Sequence, residues 1–387
     1  MLRRHSWRVN SISGPIFWTT DRSGATAICG PIVAVPARNE AERIPFLIGA
    51  LGRQTWLARS GRHLRVILVL NNCDDGSAAT AASAAAHYPS LFLDILETEF
   101  EPSKAHVGSA RRLAMERAWE CRPDPTRSVL LTTDADAVPL ANWIDSNLQA
   151  IDAGAHIVGG HILGDEAEEA LLGPAFLRMA MHQSRYTSLV DHLATLIDPL
   201  PHDPWPRHSD HTGASLAVRA DVYAAVGGIP PLPFREDLAF VSTVRAAGYR
   251  LRHSLDVRVR VSARLEGRAS GGMADCLKGW LSASAQGLPH LVEDPTLVAA
   301  RLRRRRACRY LASVGSIYET DLDAPAALWE SAFPSILSLG WNSLSVPALV
   351  EIVAPDDPDA FAGVEVEAAI RRIEQIVGDM KGEVSVA

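Results

Sequence analysis

The stretch from Ser128 to Pro139 constrains this chain more than any other. The apolar run Val129-Leu130-Leu131 passes through Thr132 and Thr133 into Asp134-Ala135-Asp136. A short, continuous apolar run closed by a turn signal is the pattern of a strand covered on both faces. Strands of that kind belong to open α/β sheets, which bind ligands outside their carboxyl ends. Two acids flanking one alanine at such an end can turn toward a single hard cation, which prefers oxygen ligands and shares them with a diphosphate. A plainer reading stands beside this one. Asp136 would then begin the helix announced by Pro139 and by Leu140, Trp143, Ile144, Leu148 and Ile151, where an acid favours the N-terminus.

The same pattern recurs along the chain. Ile32 to Val35 reads as a buried strand, followed by the turn Pro36-Ala37-Arg38-Asn39-Glu40 and a helix from about Ala41 to Leu51. Val66 to Leu70 ends in the polar segment Asn71 to Ser77, ahead of an alanine-rich helix over Ala78 to Ala86. Leu91 to Leu96 and Ile157 to Ile162 give further strands, with a helix from Lys104 to Trp119 and helical material over Glu166 to Leu196. This alternation predicts an α/β fold with a doubly wound, mostly parallel sheet, and its polar clusters follow strands on the ligand-binding edge.

Further on, Gly213-Ala214-Ser215 leads into an apolar run and a short helix over Ala220 to Val226. A loop stiffened by Pro230, Pro231 and Pro233 then delivers Glu236 and Asp237 to a helix over Leu238 to Ala247. Asp237 can cap that helix or serve chemistry. Val257, Val259 and Val261 alternate with arginines as a half-exposed strand, and Arg264 and Arg268 precede the Gly271-Gly272 boundary. Three segments follow: an irregular arm over 1–29, an α/β domain over 30–272 and a helical extension over 273–387. The extension carries a basic cluster, Arg301, Arg303 to Arg306 and Arg309, which suits a solvated helix face, a partner contact or an anionic membrane surface.

Composition narrows the function. Across 387 residues, 38 Lys and Arg stand against 45 Asp and Glu, a net charge of -7, which gives no basic footprint for nucleic acid. Five scattered cysteines without paired spacing suit a reducing cytoplasm. No stretch has the signal-peptide pattern or the run of about 18 apolar residues that a spanning helix needs. The expectation is a cytoplasmic chain, with peripheral contact at the inner membrane face left open.

Five motifs in order carry a resemblance: Val35 to Glu40, Asn71 to Ser77, Gly108-Ser109-Ala110-Arg111-Arg112, Asp134-Ala135-Asp136, and Gly213-Ala214-Ser215 followed by Glu236-Asp237. Over about Gly30 to Gly272 the chain resembles the inverting family 2 glycosyltransferases of the GT-A fold. The resemblance implies a nucleoside-diphosphate sugar donor and a divalent metal, Mn or Mg, held by Asp134 and Asp136. It puts Pro36, Ala37, Arg38, Glu40, Asn71 and Arg111 on the donor side, together with Asp134; Arg264 or Arg268, by position and charge, can add hydrogen bonds to the same diphosphate or stand as exposed arginines after a strand. It puts Gly213, Ala214 and Ser215 on the acceptor side, and it makes Asp237 the general base with Glu236 beside it.

The chemistry asks for the same residue types. A leaving diphosphate needs its growing charge stabilised, and an attacking hydroxyl needs a proton acceptor. Asn71 and Asn72 stand where acids are usual; an amide both donates and accepts, so uridine, guanosine and thymidine donors remain open. His208, His211 and His253 are the candidates for a third metal ligand. The chain lacks Gln-x-x-Arg-Trp, which favours addition of one sugar over processive synthesis. The acceptor hydroxyl can belong to a saccharide, a lipid-linked saccharide, a protein or a small metabolite. Two other classes fit less well. A sugar nucleotidyltransferase would carry glycines in its first loop, absent from Val35 to Glu40, and a nonenzymatic sugar-nucleotide scaffold would have no need to keep Asp134, Asp136 and Asp237.

Overall fold

The computed structural model describes residues 30–124, 126–268, 271–314, 345–355 and 363–386. The expected N-terminal arm lies outside these residues, as does part of the helical extension. An eight-stranded sheet runs in the order β3-β2-β1-β4-β7-β6-β8-β5. Its strands are β1 (Gly30–Ala37), β2 (Leu64–Asn71), β3 (Leu91–Thr98), β4 (Ser128–Thr132), β5 (Ala137–Pro139), β6 (Ile157–Gly164), β7 (Leu216–Arg219) and β8 (Leu251–Val261). Strands β1 to β4 are mutually parallel, and only β7 and β5 run against the rest.

Side chains alternate across the sheet, so β1 feeds two cores. Val33 and Val35 face Leu47, Ile48 and Leu51 of α1 (Ile44–Gly52) and Trp143 and Ile144 of α5 (Trp143–Asp152). Ile32 and Ala34 face Ala114 and Met115 of α4 (Val107–Glu120) and Phe240 and Val244 of α9 (Glu236–Ala246). The doubly wound, mostly parallel sheet expected from the alternation is present, and its central strands β1, β2 and β4 are buried on both faces.

The helix expected to open at Asp136 does not. Ala137–Pro139 forms β5 instead, antiparallel to the last residues of β8, and α5 begins only at Trp143. The reason lies in β8, which pairs with β6 along one edge and offers Val259 to Val261 to Ala137–Pro139 along the other. Pro139 is tolerated there because β5 is the edge strand of the sheet. Asp134 and Asp136 are thereby held between two strands, and the helix-cap reading of Asp136 fails.

Beyond Gly272 the chain forms the helices Met273–Ala285, Pro295–Val314, Val346–Val353 and Val366–Val386. It also forms a small antiparallel pair, Leu291–Glu293 with Gly363–Glu365, that the sequence reading did not anticipate. Tyr186, Leu193 and Ile197 of the long helix α7 (Pro174–Ile197) share a core with Val298, Leu302, Val366 and Ile373 of the extension. The basic cluster faces inward at several points. Arg301 pairs with Glu293, Arg305 with Glu351, Arg309 with Asp198, and Arg306 donates to the Ile197 carbonyl. Arg306 and Arg309 therefore clamp the extension to the end of α7, Arg305 joins it to the helix Val346–Val353, and Arg301 braces it internally.

Candidate active site

The carboxyl ends of β1 and β2 are locked to each other before any ligand is considered. Asn39 exchanges two hydrogen bonds with Asp74, its Nδ2 donating at 2.8 Å and its Oδ1 accepting the Asp74 N–H at 3.0 Å. The Ala41 N–H donates to Asp75 and the Glu40 N–H to the Ser77 hydroxyl. The acids of the segment Asn71 to Ser77 are thus used to hold the turn Pro36 to Glu40 in place. Pro36 and Ala37 close β1, and Arg38 donates to the Ala105 carbonyl at 2.9 Å. Asn72 pairs with both backbone groups of Phe100 and is structural. Asn71 differs: it is 2% exposed, its amide makes one long bond to the His106 carbonyl, and its Oδ1 is buried with no hydrogen-bond partner. Buried polar atoms are rarely left in that state without a functional reason.

Two arginines organise the acids. Arg111, on the first turns of α4, is 3% exposed and spends four hydrogen bonds on the protein. Its Nε donates to Glu236 at 3.0 Å, its Nη1 to the Thr132 hydroxyl and the Gly213 carbonyl, and its Nη2 to Asp134 at 2.8 Å. Burial alone would lower its pKa, but the charges of Asp134, Glu236 and Asp237 outweigh this and raise it above the ordinary arginine value. A cation so placed keeps several acids together that would otherwise repel. Expected as a donor contact, Arg111 is tied up by protein groups and acts on Asp134 and Glu236.

Arg264 is the second. It grips Glu40 through both terminal nitrogens and reaches Asp136 at 3.0 Å. The hydrogen bond to Glu40 is the main cause of its raised pKa. Burial, helped by the nearby charges of Asp134 and Glu40 and opposed by Arg264, lifts Asp136 to about 6. Arg268 is farther out, its Nε donating to the Asn39 carbonyl at 3.3 Å. Asp134 and Asp136 keep partly exposed carboxylates, 35% and 25%, at the end of β4. This all-oxygen donor pair fits a hard divalent cation.

The acidic pair from α9 reaches the same place from the other side of the sequence. Glu236 is 125 residues from Arg111 in the chain and buried against it. Asp237 accepts the Gly213 N–H at 2.6 Å through Oδ2 and the Leu238 N–H at 2.8 Å through Oδ1. Helix α9 starts two residues earlier than the sequence pattern indicates, so both acids lie in its first turn, after Arg235 in a left-handed conformation at φ 56°. A residue with a Cβ pays for that conformation, and such strain gathers at functional sites. Gly213 joins the two halves: its N–H holds Asp237, its carbonyl holds Arg111, and a Cβ on it would lie 2.3 Å from the Arg111 guanidinium.

Ala214 and Ser215 turn away from this cluster. The Ala214 carbonyl accepts from Thr133, and the Ser215 hydroxyl, fully buried, accepts the Trp143 indole N–H at 2.8 Å. Of the three residues expected to face an acceptor, Ser215 is a core hydrogen-bond partner without accessible surface. The histidines expected to include a metal ligand are likewise occupied elsewhere. His208 contacts Ser254 and Asp210, and His211 contacts His253, which is bonded to Asp203. Arg264, not a histidine, is the group that touches Asp136.

Residues that sequence reasoning passed over also contribute. Thr132 takes part in the Arg111 network, and Asp203 anchors His253, Arg207 and Arg252 at once. Burial would raise Asp203, but the hydrogen bond and charge of His253 and the charge of Arg207 hold it well below the usual carboxylate range. The recurrence of histidine at 202, 208 and 211 was the available signal for this cluster.

Residues 32–197 match the family described as Glycosyl transferase family 2. Glycosyl transfer is the general activity that this match supports. Among curated proteins none matches. Among solved structures, the mannosyltransferase PcManGT from Pyrobaculum calidifontis, in complex with GDP-Man and Mn2+, is 18% identical with a TM-score of 0.43, covering 84% of this chain and 85% of that one. TarS from S. aureus in complex with UDP is 13% identical with a TM-score of 0.42, over 75% and 76%. The glucosyl-3-phosphoglycerate synthase of M. tuberculosis is 12% identical with a TM-score of 0.35, over 67% and 82%.

Proposed function

We propose that this protein transfers one sugar from a nucleoside-diphosphate sugar to an acceptor hydroxyl with inversion, and that Asp237 is the general base. One observation carries the reading. Two acidic pairs far apart in sequence, Asp134 with Asp136 and Glu236 with Asp237, meet through the single buried guanidinium of Arg111 and the peptide of Gly213. A helix cap alone would not need a buried cation that also reaches the end of β4.

The donor lies across the ends of β1, β2 and β4. Asn71 offers its unpartnered Oδ1 to an N–H of the nucleobase, and the turn Pro36 to Glu40 lies beside it. A divalent cation, Mn or Mg, held by Asp134 and Asp136 would offset the charge that grows on the departing diphosphate. Arg264 and Arg268, on the same edge, can exchange protein partners for phosphate oxygens. On the acceptor side, the carboxylate of Asp237 is aimed by the N–H groups of Gly213 and Leu238, each of which uses one lone pair of one oxygen. The remaining lone pairs can take the proton of the attacking hydroxyl as it bonds to the anomeric carbon. Glu236, bound to Arg111, positions the helix start.

Two measurements test this. Calorimetry of nucleoside diphosphate binding with Mn or Mg should show the metal-dependent affinity lost in Asp136→Ala; binding equal to the parent's would remove Asp136 from the donor site. Asp237→Asn should lower turnover by about 100- to 10,000-fold while donor affinity changes little. Near-normal transfer by this variant, or a product that retains the donor's anomeric configuration, would rule out the mechanism.

A further inference from the structure

A second group of ligating side chains lies outside the acidic site. His161 follows a break in the pairing of β6 with β8: Gly160 is opposite Ser254, whereas His161 is opposite Arg258. Such irregularities re-aim a side chain. Here the shift brings His161 to Asp210, with Nδ1 2.9 Å from Asp210 Oδ2. His208 approaches the same oxygen, its Nδ1 3.7 Å away. Among the described residues these three form the one group of three or more histidine, cysteine and acidic side chains with the spacing to hold a metal ion, one ligand atom from each within 4.8 Å of the others.

We infer that His161, His208 and Asp210 form a transition-metal site, suited to Zn2+, that is separate from Asp134 and Asp136. Two nitrogens and one carboxylate oxygen are a zinc donor set, and three protein ligands leave a fourth position open. With metal–ligand bonds of about 2.1 Å, ligand atoms at tetrahedral angles lie about 3.4 Å apart. The separations of 2.9 and 3.7 Å from Asp210 bracket that value, and no pair in the set exceeds 4.8 Å. The outer contacts are in place as well. His208 Nε2 faces the Ser254 carbonyl at 3.2 Å, which fixes the ring and leaves Nδ1 as its lone-pair side. Asp210 Oδ2 is held by the Ile162 N–H at 2.9 Å. Metal entry has two local costs. The proton on His161 Nδ1 moves to Nε2, and His208 Nδ1 gives up the Asp210 N–H that it accepts at 3.0 Å. His161 and Asp210 are about one-third exposed, which supplies the entry path.

The site would tie the end of β6 to the segment that runs on to Gly213, and so would stiffen the peptide that aims Asp237. The full-length protein, stripped with chelator and desalted, should bind one Zn2+ in calorimetry, and Co2+ in its place should give visible d–d absorption. His161→Ala and Asp210→Ala should each weaken Zn2+ by about 100-fold or more, since outer-sphere changes alone cost 10- to 100-fold. Asp136→Ala should keep the Zn2+ equivalent although it loses metal-dependent nucleotide binding, which separates this site from the donor site. His161 is half-buried and its loss is compatible with folding, which a melting curve without metal will check. Absence of Zn2+ binding in the parent, parent-like binding by His161→Ala, or loss of the equivalent in Asp136→Ala would each overturn the assignment.

Discussion

Arg111 shows how much one side chain can decide at the residue scale. It is a cation held away from water by contact with two carboxylates, a hydroxyl and a carbonyl. Removing one partner of a buried pair leaves the other charge stranded, at a cost of about 3–5 kcal/mol. Arg111→Ala, which strands Glu236, should therefore lower the unfolding free energy in urea by about that amount. Arg111→Lys keeps the charge but not the planar fork, and should lose turnover more than stability. Asp191 on α7 gives a pH test with the opposite sign to most acids. Burial, only partly offset by Arg207, lifts it to about 7, while an unfolded aspartate titrates near about 3.9. Between these values the unfolded chain gives up the proton first, so ionisation favours unfolding. Stability from this group is complete below about pH 4 and declines as pH rises toward 7. Asp191→Asn should gain on the parent over that window, and parallel pH-dependent unfolding curves for the two would refute it.

At the scale of elements, the site depends on segments lying closer than side chains allow. A Cβ at Gly213 would meet the Arg111 guanidinium at 2.3 Å, and one at Gly159 would meet the Asp210 carbonyl at 2.3 Å. The first contact presses on a group already fixed by four hydrogen bonds, so relief must come from moving the segment or breaking the network. Gly213→Ala should cost about 1–3 kcal/mol, as overpacking does. It should also cut turnover at saturating donor, because the same peptide holds Asp237. Unchanged turnover with lowered stability would show that the Gly213 N–H is not needed to aim the carboxylate. Strand β5 acts in the same way: by pairing with β8 it fixes Asp136 between two strands and brings Arg264, just past the end of β8, within 3.0 Å.

For the whole molecule, α7 is the seam. Tyr186, Leu193 and Ile197 are buried in a core shared with the segment beyond Gly272, and Arg305, Arg306 and Arg309 fasten that cover to the end of α7. Ending the chain at 272 would uncover a continuous apolar stripe, the kind of patch that drives association. The truncated protein should be recovered mainly as aggregate, and a soluble, monomeric product by light scattering would show that α7 can do without its partners. No helix among the described residues is long and apolar enough to cross a membrane.

The sequence by itself determined the central sheet and the address of the site. Continuous apolar runs such as Val66 to Leu70 have no stable place except between two layers, and the polar residues that end them must then gather on one edge. That reasoning finds Asp134, Asp136, Asn71 and Glu40 without coordinates. Only the tertiary structure decided how those residues are used. Whether Asp136 caps a helix or lies between two strands depended on the far edge of β8 pairing with Ala137–Pro139. Arg111 and Ser215 looked like ligand contacts, yet Arg111 became the link between Asp134 and Glu236, and Ser215 a partner for Trp143. The gathering of His161, His208 and Asp210 followed from a shift in pairing between β6 and β8. Each of these outcomes turns on contacts between residues tens to hundreds of positions apart, and local periodicity carries no information about which distant partner a polar side chain will meet.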